Sequence, residues 1–217
     1  TSTASTVSIT VNAINDAPVA NAGLFSTDED IDVSYQLTWD DGDPWGSAAD
    51  DQDSTFAIVD STLHGTLSLD VSTGALTYDP DDDYNGSDSF TFTVTDDGTT
   101  NGTSDPLTST ASTVSITVNA INDAPVLSSI SAQTTSEDSD MEVNLSGTDV
   151  DIATNGQSLT FTATSGDESM VLVSITNPGT STATLSLDVQ DDANGTVTVS
   201  VTVSDGNDGT DTQDITF

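Results

Sequence analysis

TSTASTVSITVNAINDAPV, residues 1–19, recurs letter for letter as residues 108–126. A strand-plus-linker segment carried twice, one domain length apart, marks a tandem array of like modules rather than a one-off fold. Within the second copy, Val114, Ile116 and Val118 alternate with Ser or Thr and so share one side of an extended chain. The same period of two runs through Phe90, Phe92 and Val94, Leu67 and Leu69, Leu185 and Leu187, and Val197, Val199, Val201 and Val203. That is the pattern of strands with one buried and one wet face. Turn signals punctuate the runs at Asp41-Gly42, Thr73-Gly74, Asn85-Gly86, Asp97-Gly98, Asn194-Gly195 and Asp205-Gly206. No stretch carries the amphipathic period of a helix. About seven strands per hundred residues, with no closed-ring repeat, predict an all-β chain of tandem immunoglobulin-like antiparallel β-sandwiches joined by a short linker.

The repeated segment sets the expected boundaries. Each copy is an alternating strand followed by a linker closed by Ala-Pro, Asn12 to Pro18 and Asn119 to Pro125. Proline rejects helix and biases its predecessor to extended geometry, which suits a stiff joint. Residues 1–18 then read as the terminal strand and linker of a preceding repeat, 19–120 as the first sandwich, 121–125 as the inter-domain linker and 126–217 as the second sandwich. Weaker internal matches support one fold present twice: Asp83-Tyr84-Asn85-Gly86 with Asp192-Ala193-Asn194-Gly195, and Glu29-Asp30 with Glu137-Asp138.

Charge narrows the partners. Of 217 residues, 37 are Asp or Glu, none is Lys or Arg and one is His, for a formal charge of −37. Such a chain repels polyanions, and nucleic acid and anionic membranes are bound chiefly through Lys and Arg. Neutralisation has to come from cations. With no Cys and a lone His64, soft and imidazole metal sites for zinc, copper or iron–sulfur are excluded. Calcium takes six to eight oxygens from carboxylates, Asn side chains and backbone carbonyls on loops, and clustered Asp and Asn at strand ends suit it. The competing reading makes these residues turn formers and caps only. No apolar run approaches the roughly 20 residues of a membrane span, and no signal peptide opens the sequence.

The segment Val-Asn-Ala-Ile-Asn-Asp-Ala-Pro resembles the linker of cadherin repeats. Thr148-Asp149-Val150-Asp151, followed by Asn155-Gly156 and Leu159-Thr160-Phe161, resembles the cadherin Asp-x-Asp loop. The run from Asp79 through Phe90 to Gly98 is similar to the bacterial cadherin-like, or VCBS-type, repeats of giant secreted RTX-type adhesins. The resemblance implies calcium at the inter-domain joint. Carried over residue by residue, its ligands are Glu29 and one of Asp82 or Asp83, then Asn119, Asn122 and Asp123 of the linker, then Asp149, Asp151 and Asp205. An equivalent but incomplete N-terminal site comprises Asn12, Asn15 and Asp16 with Asp40, Asp41 or Asp43 and Asp96. The linker departs from the cadherin pattern, with Asn119 for Asp and Ile121 for Asn, which implies fewer ligands.

The function implied is structural: an extender module of an extracellular, secreted or surface-attached bacterial adhesin, rigidified by calcium, with neighbouring repeats or copies of itself as partners. Cell-surface or matrix ligands are further candidate partners. One alternative is a self-assembling fibre subunit whose residues 1–12 pair as a donor strand with another copy. Another is a calcium-dependent glycan-binding domain using Trp39 and Trp45, against which stands ordinary packing of the two rings. Paired carboxylates such as Asp40-Asp41 lie in turns without an evident pocket, and His64 has no nucleophile motif beside it, so no catalytic function is expected. The sequons at Asn85, Asn101, Asn144 and Asn194 are explained largely by Asn-Gly turns.

Overall fold

A computed structural model describes residues 2–12, 14–41, 52–176 and 181–217. The chain divides into two compact units, Thr1–Ile121 and Asn122–Phe217.

The first unit contains β1 (Val19–Ala20), β2 (Gly23–Asp28), β3 (Val33–Gln36), β4 (Trp39–Asp40), β5 (Ser54–Asp60), β6 (Gly65–Leu69), β7 (Ala75–Pro80), β8 (Gly86–Asp96), β9 (Thr99–Thr100), β10 (Thr103–Ser104) and β11 (Ser112–Asn119). One sheet has the order β2-β11-β8-β5 and a second β3-β7-β6, with β1-β4 and β9-β10 as short pairs. Between the sheets lies an aromatic-rich core: Phe56, Leu76, Tyr78, Phe90, Phe92, Val94, Val114, Ile116 and Val118 are all buried. Alternation places them there, because β8 and β11 each turn every second residue inward. Described pairings are antiparallel except one: β2 runs parallel to β11, Gly23 beside Val114 through Asp28 beside Asn119. Both strands therefore deliver their ends, Glu29 and the linker, to the same end of the unit.

Asp88 is a charged residue set against this core. It lies on β8 opposite Ile116 and is nearly covered. Burial alone would raise its carboxyl, but N–H donors from Leu63, His64 and Ser89 and the Tyr78 hydroxyl hold it below the ordinary carboxylate value. The same burial, with Asp88 beside it, pushes the Tyr78 hydroxyl far up.

The second unit contains β12 (Val126–Leu127), β13 (Met141–Thr148), α1 (Ile152–Asn155), β14 (Thr160–Ser165), β15 (Val171–Thr176), β16 (Thr182–Val189), β17 (Thr198–Ser204) and β18 (Thr210–Thr216). Its sheets are β12-β13-β16-β15 and β14-β17-β18. The core is mainly aliphatic, built on Leu145, Leu159, Leu185, Leu187, Val199, Val201 and Val203 around Phe161. The single turn of α1, closed by Gly156 at φ 72°, is too short to leave a periodic trace in the sequence.

Residues 2–12 carry no assigned strand, and Val7, Ile9 and Val11 are 82%, 83% and 88% exposed. Their identical counterparts in β11, Val114, Ile116 and Val118, are 0%, 1% and 3% exposed. A strand needs a partner for its backbone groups, and only the second copy has one.

Candidate metal centres

Each unit gathers acidic and amide side chains at its ends. At the exit end of the first unit, β2 stops at Asp28 and Glu29 follows, its backbone N–H donating to the Asn119 carbonyl at 2.9 Å. That bond continues the parallel pairing by one residue. It draws the Glu29 side chain inward, where it is 4% exposed. Its Oε1 accepts the Ile121 N–H at 2.5 Å and its Oε2 the Asn85 side-chain amide at 3.1 Å. Beside it the Asn119 side chain donates to Asp28 at 3.0 Å. Asp30 and Asp83 both hold left-handed backbone, at φ 60° and 58°, a conformation that short Asp and Asn side chains tolerate best after glycine. The Asp83 N–H donates to Asp30 Oδ1 at 3.0 Å. Both Asp82 and Asp83 are exposed, and Asp83 is the one tied by this bond into this end. The second unit repeats the device: Asp138 and Asp192 have φ 60° and 58°, and the Asp192 N–H donates to Asp138 Oδ1 at 3.1 Å.

At the entry end of the second unit, Asp149, Asp151, Asp205, Asn122 and Asp123 come together. The Asp123 N–H donates to Asp151 Oδ2 at 2.8 Å, and the Asp151 N–H to Asp149 Oδ1 at 2.8 Å. The Asn122 amide donates to Asp205 Oδ2 at 2.8 Å and to the Asn207 carbonyl at 3.2 Å. That amide, against the upward pull of burial and together with the N–H groups of Asn207 and Gly209, holds the Asp205 carboxyl below its ordinary value. Asp151 and Asp205 are 2% and 5% exposed. Asp149 Oδ2 is buried with no hydrogen-bond partner.

The entry end of the first unit has the same plan. Asn15 donates through Nδ2 to Asp96 Oδ1 at 3.0 Å, and the Gly98 N–H reaches the same oxygen at 3.1 Å. Asp96 Oδ2 is buried without a hydrogen-bond partner. Asn12 and Asp16 are exposed. Register fixes the acidic loop here. Val19 faces Asp40, whereas its repeat counterpart Val126 faces Thr148. Asp40 therefore matches Thr148, and Asp41 takes the place of Asp149. Asp43 and Trp45 lie outside the described residues, and Trp39 is half-buried against the first core.

Two glutamines complete the entry clusters. Gln52 Nε2 donates to Asn15 Oδ1 at 3.2 Å and Gln157 Nε2 to Asn122 Oδ1 at 2.5 Å. Sequence reasoning passed over both, because nothing near Gln52 or Gln157 in the chain announces a partner 37 or 35 residues away; aligning the two repeats would have shown that the pair recurs. Asp70 and Asp167 are plain turn formers. Asp70 accepts from Ser72 and Thr73, and Asp167 accepts from Ser169. Hydrogen bonds from Ser72 and Ser169 hold these two below their ordinary value.

The donor set fits a hard divalent cation: carboxylate and amide oxygens only, several buried, two of the carboxylate oxygens without a donor. The sequence profile of the bacterial Ig domain family matches residues 15–117 and again 122–217. The chain belongs to the bacterial Ig domain family. This bacterial Ig pair is also similar in fold to cadherin ectodomains. It aligns with protocadherin gamma B7 extracellular cadherin domains 1–4 at 19% identity and TM-score 0.53, over 95% of this chain and 50% of that one. It aligns with human CDH23 EC21–23 at 17% identity and TM-score 0.53, over 94% and 64%. With the protocadherin gamma B4 extracellular domain the identity is 16% and the TM-score 0.50, over 92% of this chain and 34% of that one. The bacterial Ig pair thus spans about a third to two thirds of these cadherin chains. No curated protein sequence matches it. Among the described residues no helix is long and apolar enough to cross a membrane.

Proposed function

We propose that this bacterial Ig pair is an extender module of an extracellular adhesin-type protein, stiffened by calcium held by residues that flank the linker. One observation carries the reading. Glu29, Asp96, Asp151 and Asp205 are each at most 5% exposed, in a chain with no Lys or Arg. Buried carboxylates need a countercharge, and hydrogen bonds supply only part of it. With no Lys or Arg to pair with, a dissolved cation is the remaining source.

Glu29, Asp83 and Asn119 from the first unit, and Asn122, Asp123, Asp149, Asp151 and Asp205 from the second, are the residues that would hold calcium. Asn15, Asp41 and Asp96 would form the equivalent N-terminal set. Calcium would contribute charge neutralisation and a fixed set of oxygen contacts. Stiffness, rather than turnover, is the activity. The fibre alternative asks for an unfilled place beside β17, and β18 already lies there over seven residues. The glycan alternative asks for an exposed aromatic platform, and Trp39 is half-buried against the core.

The reading is tested by calorimetric calcium titration of the 217-residue protein. Saturable heat is expected, diminished in Asp149→Ala and Asp151→Ala whose folding is verified by circular dichroism. Heat no larger than dilution in the unsubstituted protein would overturn it.

A further inference from the structure

Among the described residues, one element is inserted beside the first entry cluster and not beside the second. In the second unit the chain passes from β17 to β18 through Asp205–Gly209, and Asn122, though it bonds Asp205, is exposed. In the first unit the corresponding connection from β8 to β11 carries the β9–β10 hairpin, with Thr103 paired to Thr100 and Ser104 to Thr99. The hairpin closes on the linker. The Asn15 backbone N–H donates to Thr100 Oγ1 at 3.1 Å, and its side-chain amide donates to the Asp105 carbonyl at 2.9 Å as well as to Asp96. Thr100 in turn donates to Asp105 Oδ2 at 2.6 Å, and the Asp105 N–H donates to the Gly98 carbonyl at 2.9 Å. Asn15 is left 5% exposed. Its Oδ1 sits against Gly98, where a Cβ would meet that oxygen at 1.8 Å.

We propose that the β9–β10 hairpin is a latch that clamps the Asn15–Pro18 linker onto the first unit without any cation. Asn15 donates three hydrogen bonds, two to the hairpin and its base and one to Asp96, which fix both its backbone and its side chain. Asn122 has the identical sequence around it but no hairpin, and among the described residues its backbone N–H has no such acceptor. The latch makes the two linkers of identical sequence unequal: Asn15 is held by its backbone N–H and its side chain, whereas Asn122 is held through its side chain. This does not depend on the calcium reading, because the clamp is protein to protein.

Amide hydrogen exchange by NMR in excess chelator tests it. The Asn15 amide is expected to be protected and the Asn122 amide not. In Thr100→Val and in Gly98→Ala, Asn15 protection is expected to fall about tenfold, the scale of one lost hydrogen bond. The Phe92 and Ile116 amides should stay as slow as before, which shows that the unit remains folded. If a variant does not fold, the Asn15-to-Asn122 contrast in the unsubstituted protein decides. Equal, unprotected exchange at both asparagines in chelator would overturn the latch, as would Asn15 protection unchanged in both variants. Protection of Asn15 that appears only on adding calcium would overturn the latch while leaving the calcium reading intact.

Discussion

Residues 5–12 and 112–119 have the same sequence and different fates. The second copy is β11, wedged between β2 and β8 with its three apolar side chains buried; the first is exposed and carries no strand. Identical local propensity therefore does not decide the outcome. What decides it is the bed: Phe90 and Asp88 on β8, Phe25 on β2, and the backbone donors and acceptors of both. The following linker repeats the lesson, since Asn15 is buried under a hairpin and its twin Asn122 is exposed.

The largest effect should come from breaking this contrast in the core. Ile116→Ala should destabilise the first unit by roughly 2–5 kcal/mol, the usual cost of truncating a buried Ile, while Ile9→Ala should stay within about 0.5 kcal/mol, as exposed sites do. Urea unfolding of the two variants checks this, and equal losses would mean that the N-terminal segment is packed in solution.

A smaller effect should follow from altering the bed itself. Asp88→Asn replaces a carboxylate that accepts four donors, and should cost about 1.5–3 kcal/mol near neutral pH, the range for hydrogen bonds to a charged group. The Asp88 carboxyl is held below its unfolded value in the folded chain. Its contribution is thus present above the unfolded value and is lost as pH falls through the lower folded one. The melting temperature of the first unit should drop below about pH 4, and Asp88→Asn should flatten that drop. A variant whose acid profile parallels the parent's would remove Asp88 as its source.

The smallest effect sharpens the comparison at the linker. Asn119→Ala deletes one exposed bond to Asp28 and should cost about 0.5–1.5 kcal/mol. Asn12→Ala, its twin in the exposed copy, should leave thermal unfolding unchanged.

Much of the fold was legible because burial follows a period of two, and the alternation at Phe90, Phe92, Val94 and at Val197 through Val203 maps directly onto inward-facing positions. The parallel pairing of β2 with β11 was not, since alternation says which face is buried but nothing about which strand lies alongside. In the clusters, Glu29, Asp149, Asp151 and Asp205 were visible as acidic residues at strand ends, and the structure buries or half-buries each. Asp30, Asn85 and the two glutamines were not. Their roles depend on contacts across tens of residues, such as Asn85 to Glu29 at a separation of 56. The equivalence of Asp41 with Asp149 needed strand register, which a run of adjacent aspartates cannot supply.

The central claim is that dissolved calcium supplies the countercharge missing from a chain of net charge −37, and so stiffens it. Small-angle scattering of the 217-residue protein, in calcium and in excess chelator at equal ionic strength, tests it most directly. Calcium should narrow the range of interdomain arrangements needed to fit the profile, and raise the melting temperature by an amount that grows with ion concentration. Scattering curves that superimpose in the two buffers, with equal melting temperatures, would contradict it.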